Sequence, residues 1–499
     1  MQRREGRLAI TRTLTPARHG FPTGFRWGGA FATHQMEGAY DEGGKGLSVT
    51  DISALRKDVH IHLRMQGDLS RHQVREMLSH EGELVFPKRW GIDFYHTYED
   101  DLALLGKDGL GLNAFRTSIN WARIFPTGSE EEPSEEGLAF YDRIIDAMVA
   151  NGLDPFLTVS HYEMPLALAM DHGGWHDRAT IDKFVRYCQV LFDRYHDCVR
   201  HWILVNQINM VAHEGFNHLG VPTDETDDPM SARYQALHNE MVACALATAY
   251  AHKTYPELEI GVMEYANLAY PATTDPNDVM ATYRRNQMEQ LPADVLALGS
   301  YPGYALRFFE ERGITVVAEN GDLEALATHT ADFVCFSYYL TQICSAESVA
   351  THEQGGGDTF QNPLLKTNPW GWAIDPVGLR WTLNVYQDRY HKPLYIVENG
   401  CSYLEEPGED GIVHDGYRVQ YFRDHIAQVR EAIADGVDVR GYFAWGALDI
   451  VSASSCEMSK RYGFIHVDQD DYDHGTGRRT PKESFAWMQQ VVRSNGKRL

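Results

Sequence analysis

The sequence predicts an α/β fold: a single (β/α)8 TIM barrel with long loops over its C-terminal face. Short apolar runs rich in β-favouring residues alternate with amphipathic helix patterns along the 499 residues. Strands that are apolar almost throughout and alternate with helices are typical of a parallel sheet covered on both faces. Eight such runs occur, and eight strands favour closure into a barrel over an open sheet.

Each run is interpreted as one strand because it combines aromatic or β-branched residues with polar or turn-forming flanks. In chain order the runs are FRWGGAFA (25–32), LNAFRTSI (112–119), DPFLTVSH (154–161), HWILVNQIN (201–209), EIGVMEY (259–265), FVCFSYYL (333–340), PLYIVENG (393–400) and VRGYFAWGALD (439–449). Between them lie helix patterns, of which the clearest cover residues 181–196 and 234–255.

No Pro/Ser-rich linker or low-complexity segment divides the chain, so residues 21–499 are predicted to form one barrel domain. Residues 1–20 are basic but lack the apolar centre of a secretory signal, and we interpret them as a lead-in to the first strand. Residues 40–110 are charged and His-rich. We expect this segment to cover the barrel mouth, with a solvated central part.

The composition limits the partners of the protein. The net charge is −25, which argues against binding nucleic acid or an anionic membrane surface, because both need a basic face. An anionic small molecule remains compatible with this charge if a local basic pocket exists. No run approaches the roughly 20 apolar residues of a membrane span. Seven scattered cysteines without a CxxC pair predict a reducing, cytoplasmic location and no metal framework.

Several predicted strands end in polar or ionisable residues, at the barrel face where active sites form. Glu398, in YIVENG (395–400), follows four β-favouring residues and precedes an Asn-Gly turn pair. A carboxylate in this place can face the centre of the barrel and act as nucleophile or base. The hexapeptide alone is equally compatible with a strand-end glutamate in a surface ion pair.

Five motifs together resemble glycoside hydrolase family 1, the retaining β-glycosidases on (β/α)8 barrels. They are FRWGGAFATHQMEG (25–38), FRTSINWARIFP (115–126), SHYEMPLAL (160–168), NQIN (206–209) and YIVENG. The resemblance runs from about residue 22 to about 492, and the motifs occur in the order and spacing of that family.

The resemblance implies a role for each matching position. Glu398 matches the nucleophile, while Arg116 and Tyr338 match residues that keep that carboxylate ionised and oriented, since a cation and a phenolic donor both lower a carboxyl pKa. Other positions match residues that contact the sugar in the innermost subsite: Gln35, His161, Asn206 and Trp445. Trp370 or Trp372 is either a sugar platform or part of the core.

The sequence departs from the family at Gln207, where the acid/base glutamate of N-E-x-N is expected. Glutamine donates a hydrogen bond but does not transfer a proton at neutral pH. Three explanations stay open: an engineered Glu-to-Gln change that traps substrate, a natural variant for thio-linked or otherwise activated glycosides, or a proton supplied by another side chain. The side chains nearby in sequence are Glu163, His213 and Glu214.

The stretch 447–468 predicts a phosphate site. Ordinary β-glucosidases of the family carry Glu and Trp where this chain has Ser452 and Ala453. A carboxylate about 5 Å from a phosphate would cost roughly 3 kcal/mol per charge pair, so its absence favours an anion. Ser454, Lys460 and Tyr462 add polar and cationic groups. The alternative is an ordinary basic surface loop.

This pattern resembles the 6-phospho-β-glucosidase branch, with Ala453 favouring glucosides over galactosides. The expected activity is retaining hydrolysis of 6-phospho-β-D-glucosides through a glycosyl–Glu398 intermediate, with an atypical or impaired acid/base step at Gln207 and no metal or organic cofactor. The competing hypothesis is a phosphoglycoside-binding protein without turnover. Loops at 40–110 and about 300–330 are expected to line the aglycone site. The sequence leaves homo-oligomerisation open.

Overall fold

The computed structural model describes residues 20–65, 67–212, 214–351 and 358–499. All of the predicted lead-in except Gly20 lies outside these residues. Within them, no helix is long and apolar enough to cross a membrane.

Of the strands among the described residues, eight are parallel and close into a barrel, as the sequence predicts. The strands in chain order are β1 (Arg26–Ala30), β2 (Ala114–Ser118), β3 (Asp154–Ser160), β4 (His201–Val205), β5 (Glu259–Tyr265), β6 (Ala269–Pro271), β7 (Phe333–Tyr338), β8 (Gln342–Cys344), β9 (Leu394–Asn399), β10 (Val439–Trp445), β11 (Ile465–Gln469) and β12 (Gly475–Pro481). The barrel order is β1-β2-β3-β4-β5-β7-β9-β10, and β10 pairs with β1 to close it. The short pairs β6–β8 and β11–β12 lie outside the barrel.

Helices connect the strands and cover the barrel. They are α1 (Thr33–Met36), α2 (Arg71–Ser79), α3 (Phe94–Leu105), α4 (Trp121–Ile124), α5 (Glu135–Ala150), α6 (Leu166–His172), α7 (Thr180–Tyr195), α8 (Phe216–Leu219), α9 (Pro229–Thr254), α10 (Pro276–Glu289), α11 (Leu291–Leu298), α12 (Gly303–Arg312), α13 (Asp322–Thr328), α14 (Ala346–Thr351), α15 (Pro376–Tyr390), α16 (Gly416–Asp435) and α17 (Glu483–Arg493). The two helix patterns singled out in the sequence correspond to α7 and α9. Asp228 caps α9 by accepting from the Ser231 amide, and Pro229 occupies its first turn.

The lower end of the barrel is filled by aromatic side chains. Phe156 stacks on His201 with centroids 4.2 Å apart, and Phe443 and Tyr395 pack edge-on against Phe156. This packing leaves the strand C-terminal ends as the open face of the barrel, which is where active sites of this architecture form.

Glycine at position 28 makes room for one of these rings. A Cβ at Gly28 of β1 would overlap the ring of Phe443 on β10. Because barrel interiors are close-packed, the ring has little space into which it can move. The glycine is therefore a packing requirement at this position.

We expect Gly28→Ala to lower the free energy of unfolding by about 1–3 kcal/mol, the usual cost of overpacking a core. The measurement is chemical denaturation followed by fluorescence. Gly303→Ala at the start of α12 is the matched control, because its added Cβ meets no atom within 4 Å. Equal stability of the Gly28→Ala protein and the unmodified protein would contradict the packing argument.

Candidate active site

A cavity of about 810 Å³ opens at the C-terminal ends of the barrel strands. Its floor includes the strand-end residues His161, Gln207, Glu398 and Trp445. Its walls come from loops within residues 49–65, 67–68, 214–218, 339–342, 358–373 and 453–462. The structure therefore brings strand ends that are far apart in the sequence to one site.

Glu398 lies at the end of β9 and is buried, with 2% exposure. Nη1 of Arg116 donates to its Oε1 at 2.6 Å, and the hydroxyl of Tyr339 donates to its Oε2 at 2.8 Å. Burial raises the pKa of Glu398 above its ordinary value, because the contributions of Arg116 and Tyr339, which lower it, are smaller. The cation and the phenol each lower the pKa of Glu398, as expected, but burial raises it by more, so the net shift is upward.

Arg116 organises the floor of the site from β2. Its guanidinium also donates to Thr158 Oγ1 at 2.9 Å and to Asn206 Oδ1 at 2.6 Å. Asn206 in turn donates from Nδ2 to the Tyr162 hydroxyl at 2.8 Å. The side chain of Asn206 thus has protein partners on both its oxygen and its nitrogen.

The predicted contact between Tyr338 and Glu398 is wrong; the next residue, Tyr339, makes it. Tyr338 donates instead to the backbone oxygen of Asp375 at 2.6 Å and packs near the ring of His425 on α16. Side chains alternate along an extended strand, so Ser337 and Tyr339 share the inner side while Tyr338 faces the helices. Both tyrosines stand in the run FVCFSYYL, and the sequence alone does not tell which one faces inward.

Gln207 follows β4 with a positive φ of 43° and lines the cavity. Its Nε2 donates to Ser337 Oγ at 2.6 Å, and its Oε1 accepts from the Tyr162 hydroxyl at 3.0 Å. The left-handed backbone explains why the strand ends at Val205, before the end of the predicted run. Tyr162, which sequence reasoning did not single out, positions both Asn206 and Gln207.

Two predicted sugar ligands carry buried polar atoms that have no hydrogen-bond partner among the described residues. Gln35 donates from Nε2 to the Val451 carbonyl at 2.6 Å, while its Oε1 has none. The ring of His161, 5.8 Å from that of Trp445, has an unpartnered Nδ1. Burial lowers the pKa of His161 well below its ordinary value, so the ring is neutral. Buried polar atoms of this kind call for a polar ligand.

Lys460 lies inside an aromatic box above the cavity wall. Its Nζ is 4.1 Å from the ring centroid of Trp372, 5.1 Å from that of Trp370 and 5.8 Å from that of Tyr462. Burial lowers its pKa to about 7, a fall that Glu457 partly offsets. The three aromatic residues line the cavity, and Lys460 is buried directly behind them.

The neighbouring loop presents small side chains to the cavity. Ala453 and Ser454 line it, and Ser454 Oγ lies 3.5 Å from Lys460 Nζ. Ser452 is fully buried beneath them, with its amide donating to the Glu457 carbonyl at 2.9 Å.

A buried ionic cluster anchors the start of this loop. Asp449 accepts from Lys482 Nζ at 2.8 Å and lies 3.3 Å from His466 and 3.6 Å from Arg461. Burial by itself raises the pKa of Asp449, but these cations, Lys482 foremost, hold it below its ordinary value.

The three acid/base candidates named from the sequence differ in their position relative to the cavity. Glu163 is buried and its oxygens accept from Thr33, Ser118 and the His161 amide, so it does not face the cavity. His213 lies outside the described residues. Glu214 lines the cavity.

Two segments are predicted to line the aglycone site, and the prediction is correct for one and wrong for the other. Segment 40–110 contributes Val49, Ser53 and Lys88 to the cavity wall, and its central part contributes His62 and Met65. Residues 300–330 fold into α12 and α13, and none of them lines the cavity. Their place is taken by residues within 339–342 and 358–373. In the described part of the chain, no cluster of three or more His, Cys, Asp or Glu side chains is arranged to hold a metal ion.

Comparison with known proteins places this geometry in a family. The model of glycosyl hydrolase family 1 matches residues 17–497. The aryl-phospho-beta-D-glucosidase BglH of Bacillus subtilis is 45% identical over 96% of this chain and 98% of its own length. The 6-phospho-beta-glucosidase of Dickeya chrysanthemi is 44% identical over 96% of this chain and 99% of its own. A solved family 1 β-glucosidase from Thermotoga maritima is 30% identical, with a TM-score of 0.80 over 96% of this chain and 99% of its own.

The two adjacent tyrosines provide a test of the Glu398 geometry. Tyr339→Phe removes a hydrogen bond to a carboxylate, which is worth about 1.5–3 kcal/mol. We therefore expect kcat to fall about 10- to 100-fold with an aryl 6-phospho-β-glucoside, the substrate class that the sequence resemblance implies. Tyr338→Phe is the matched control and should leave kcat within a few-fold. A larger loss in the Tyr338 variant than in the Tyr339 variant would contradict the contact.

Proposed function

Because the chain belongs to glycosyl hydrolase family 1 and is a β-glycosidase, we propose that it hydrolyses 6-phospho-β-D-glucosides with retention of configuration. The observation that carries the proposal is the pairing of Glu398 on the cavity floor with Lys460 beside the cavity wall. The first supplies a nucleophile and the second a cation for the phosphate. The printed names of the relatives, aryl-phospho-beta-D-glucosidase and 6-phospho-beta-glucosidase, support the same substrate class.

The first chemical step forms a glycosyl–enzyme ester. An oxygen of Glu398 attacks the anomeric carbon while the bond from that carbon to the aglycone oxygen breaks. Arg116 and Tyr339 hold the two carboxylate oxygens, which restricts the carboxylate to one orientation. Burial raises the pKa of Glu398 and the ion pair with Arg116 lowers it, so Arg116 favours the charged form of the nucleophile.

The sugar is positioned by groups whose hydrogen-bonding capacity the protein leaves unused. Gln35 Oε1 and His161 Nδ1 are buried without a partner among the described residues, so sugar hydroxyls would satisfy them. Trp445 and Trp370 offer apolar faces for the pyranose. Asn206 acts mainly by orienting Arg116 and Tyr162.

The phosphate is bound beside Ala453, where the loop presents no carboxylate. Ser454 and Tyr462 contribute hydroxyl groups on the cavity surface, Lys460 contributes charge, and Ser452 supports the loop from below. A phosphate is itself largely dianionic above its second pKa of about 6. The binding site therefore concentrates positive charge locally within an acidic protein.

The acid/base step at Gln207 is atypical. Gln207 is held by Tyr162 and Ser337 and has no proton to transfer at neutral pH. General acid/base catalysis contributes about 10²–10⁴-fold, so substrates with good leaving groups, including thio-linked ones, are favoured. Phosphorylated substrates and seven free cysteines are consistent with activity in the cytoplasm.

Turnover and binding are separated by a burst experiment. With a 2,4-dinitrophenyl 6-phospho-β-glucoside we expect a burst of phenol equal to the enzyme concentration, followed by a slower steady phase, because glycosylation no longer needs an acid. Glu398→Gln should abolish the burst and retain binding. Binding of the glycoside to the unmodified protein without any burst would instead support a phosphoglycoside-binding protein.

Lys460 provides the test of phosphate recognition. Loss of a charge-assisted hydrogen bond costs about 1.5–3 kcal/mol, so Lys460→Ala should lower kcat/KM for the phosphorylated substrate about 10- to 100-fold through KM. The unphosphorylated glucoside and the exposed-lysine variant Lys366→Ala are the controls. An equal loss with both substrates would contradict the assignment.

The pKa of Lys460 predicts the pH dependence of the same step. Its pKa of about 7 means that the ammonium is lost as pH rises through 7, while the phosphate gains its second charge near pH 6. We expect kcat/KM for the phosphorylated substrate to fall above about pH 7. The unphosphorylated glucoside, measured over the same range, should lack this decline.

A further inference from the structure

The cavity contains few groups that could perform the proton transfer that Gln207 does not. Asp68 is occupied by the Gly215 and Phe216 amides and by Arg233. Asp358 pairs with Arg285 at 3.2 Å. Both carboxylates thus have fixed structural partners. His34 pairs with the buried Glu163, and burial lowers the pKa of His161 well below its ordinary value. The titratable pair that shares a neighbour, Tyr162, with Gln207 is His218 with Glu214.

His218 and Glu214 form a close pair on the cavity wall. His218 lies in α8, and Glu214 precedes this helix by two residues. Nδ1 of His218 is 3.1 Å from Oε2 of Glu214. Both residues line the cavity, and their side chains are 12% and 15% exposed. The pair is therefore enclosed by protein but open to a bound substrate.

A single side chain separates this pair from Gln207. The ring of His218 is 3.9 Å from the ring of Tyr162, in an edge-to-face arrangement. The hydroxyl of the same tyrosine donates to Gln207 Oε1 at 3.0 Å. Tyr162 thus joins the position where the family's acid/base is expected to a histidine that can carry a proton.

The phenol of Tyr162 interacts electrostatically with both Glu398 and Glu214. Burial raises the pKa of Tyr162 well above its ordinary value, and the charges of Glu398 and Glu214 both add to this rise. Both carboxylates are therefore near the same phenol. Burial raises the pKa of Glu214, but His218 and, more weakly, Lys88 outweigh burial and hold that pKa below its ordinary value. Glu214 is accordingly an anion that faces His218.

We propose that His218, oriented by Glu214, is the proton-transfer residue of the glycosidase reaction. This inference rests on the proposed function and names the group that completes it. Histidine is suited to the role because its ordinary pKa is near 6.5, so it both gives and accepts a proton near neutral pH. Because Nδ1 lies beside the Glu214 carboxylate, we assign the proton transfer to the other ring nitrogen, Nε2.

The proton balance closes over the two steps. In the first step, Glu398 attacks the anomeric carbon, the bond to the aglycone breaks, and protonated His218 gives its proton to the departing oxygen. In the second step, neutral His218 takes a proton from water as the water oxygen attacks the anomeric carbon. The bond to Glu398 breaks, its carboxylate is released, and His218 is again protonated. Glu214 stabilises the charged ring and remains an anion throughout.

The test uses His218→Asn and Glu214→Gln, which keep size and polarity. His176→Asn is the matched control, because His176 also lies 3.3 Å from a glutamate, Glu225, yet does not line the cavity. With phenyl 6-phospho-β-glucoside, whose leaving group needs a proton, we expect kcat to fall at least 100-fold in the first two variants. The burst rate with the 2,4-dinitrophenyl substrate should change by less than three-fold.

Azide provides an independent readout, because it attacks the glycosyl–enzyme without needing a base. It should accelerate the slow phase of the His218 and Glu214 variants at least ten-fold and produce the β-glycosyl azide. Gln207→Glu in the Glu214→Gln background should restore hydrolysis of the phenyl substrate, since it supplies a carboxyl at the expected position. If the variants were inactive only because their structure was damaged, neither azide nor Gln207→Glu would restore activity.

The outcomes distinguish this inference from the proposed function. If His218→Asn and Glu214→Gln hydrolyse the phenyl substrate as fast as the His176→Asn control, the inference is overturned, while an intact burst still supports glycosylation of Glu398. An equal loss of burst and steady rates, without azide rescue, also overturns it. If the unmodified protein binds the 2,4-dinitrophenyl substrate but releases no phenol, the proposed function fails first.

Discussion

The buried ion pair between Arg116 and Glu398 is the interaction on which the site depends. Burial raises the pKa of Glu398, and removal of one partner from a buried pair commonly costs about 3–5 kcal/mol because the other charge is left uncompensated. Arg116 is held in turn by Thr158 on β3 and by Asn206, which directly follows β4. The position and charge of Glu398, the proposed nucleophile, therefore follow from the closure of the barrel, which brings the ends of β2, β3, β4 and β9 to one floor.

Two groups of residues support the cavity floor, one at the lower end of the barrel and one at the upper end. Aromatic packing around Phe156 and Phe443 fills the lower barrel and needs glycine on β1. At the upper end, the ionic cluster at Asp449 anchors the loop that carries Ala453 and Lys460. In the proposed function the strand ends carry the covalent chemistry and the loops carry the features that select the substrate, which is the usual arrangement in barrel enzymes.

The net charge of −25 does not reveal that the protein holds a buried cation next to the cavity wall. Lys460 is buried among aromatic rings, where desolvation lowers its pKa to about 7. A phosphate close to it would favour the charged ammonium, so ligand binding and protonation of this lysine support each other. An acidic protein can bind an anion because a cation held in a cavity is screened far less than one on the surface.

Sequence by itself determined the eight barrel strands and their order, because continuous apolar runs are local signals, whereas Glu398 and Arg116 were singled out by the resemblance to glycoside hydrolase family 1. Only the tertiary structure decided which tyrosine contacts Glu398, since the inward side of β7 depends on its pairing with β9. It also showed that residues within 339–342 and 358–373, rather than 300–330, line the cavity, and it placed His218 beside Tyr162. Such contacts join distant segments, and no local periodicity encodes the distance between two side chains that meet only when the barrel closes.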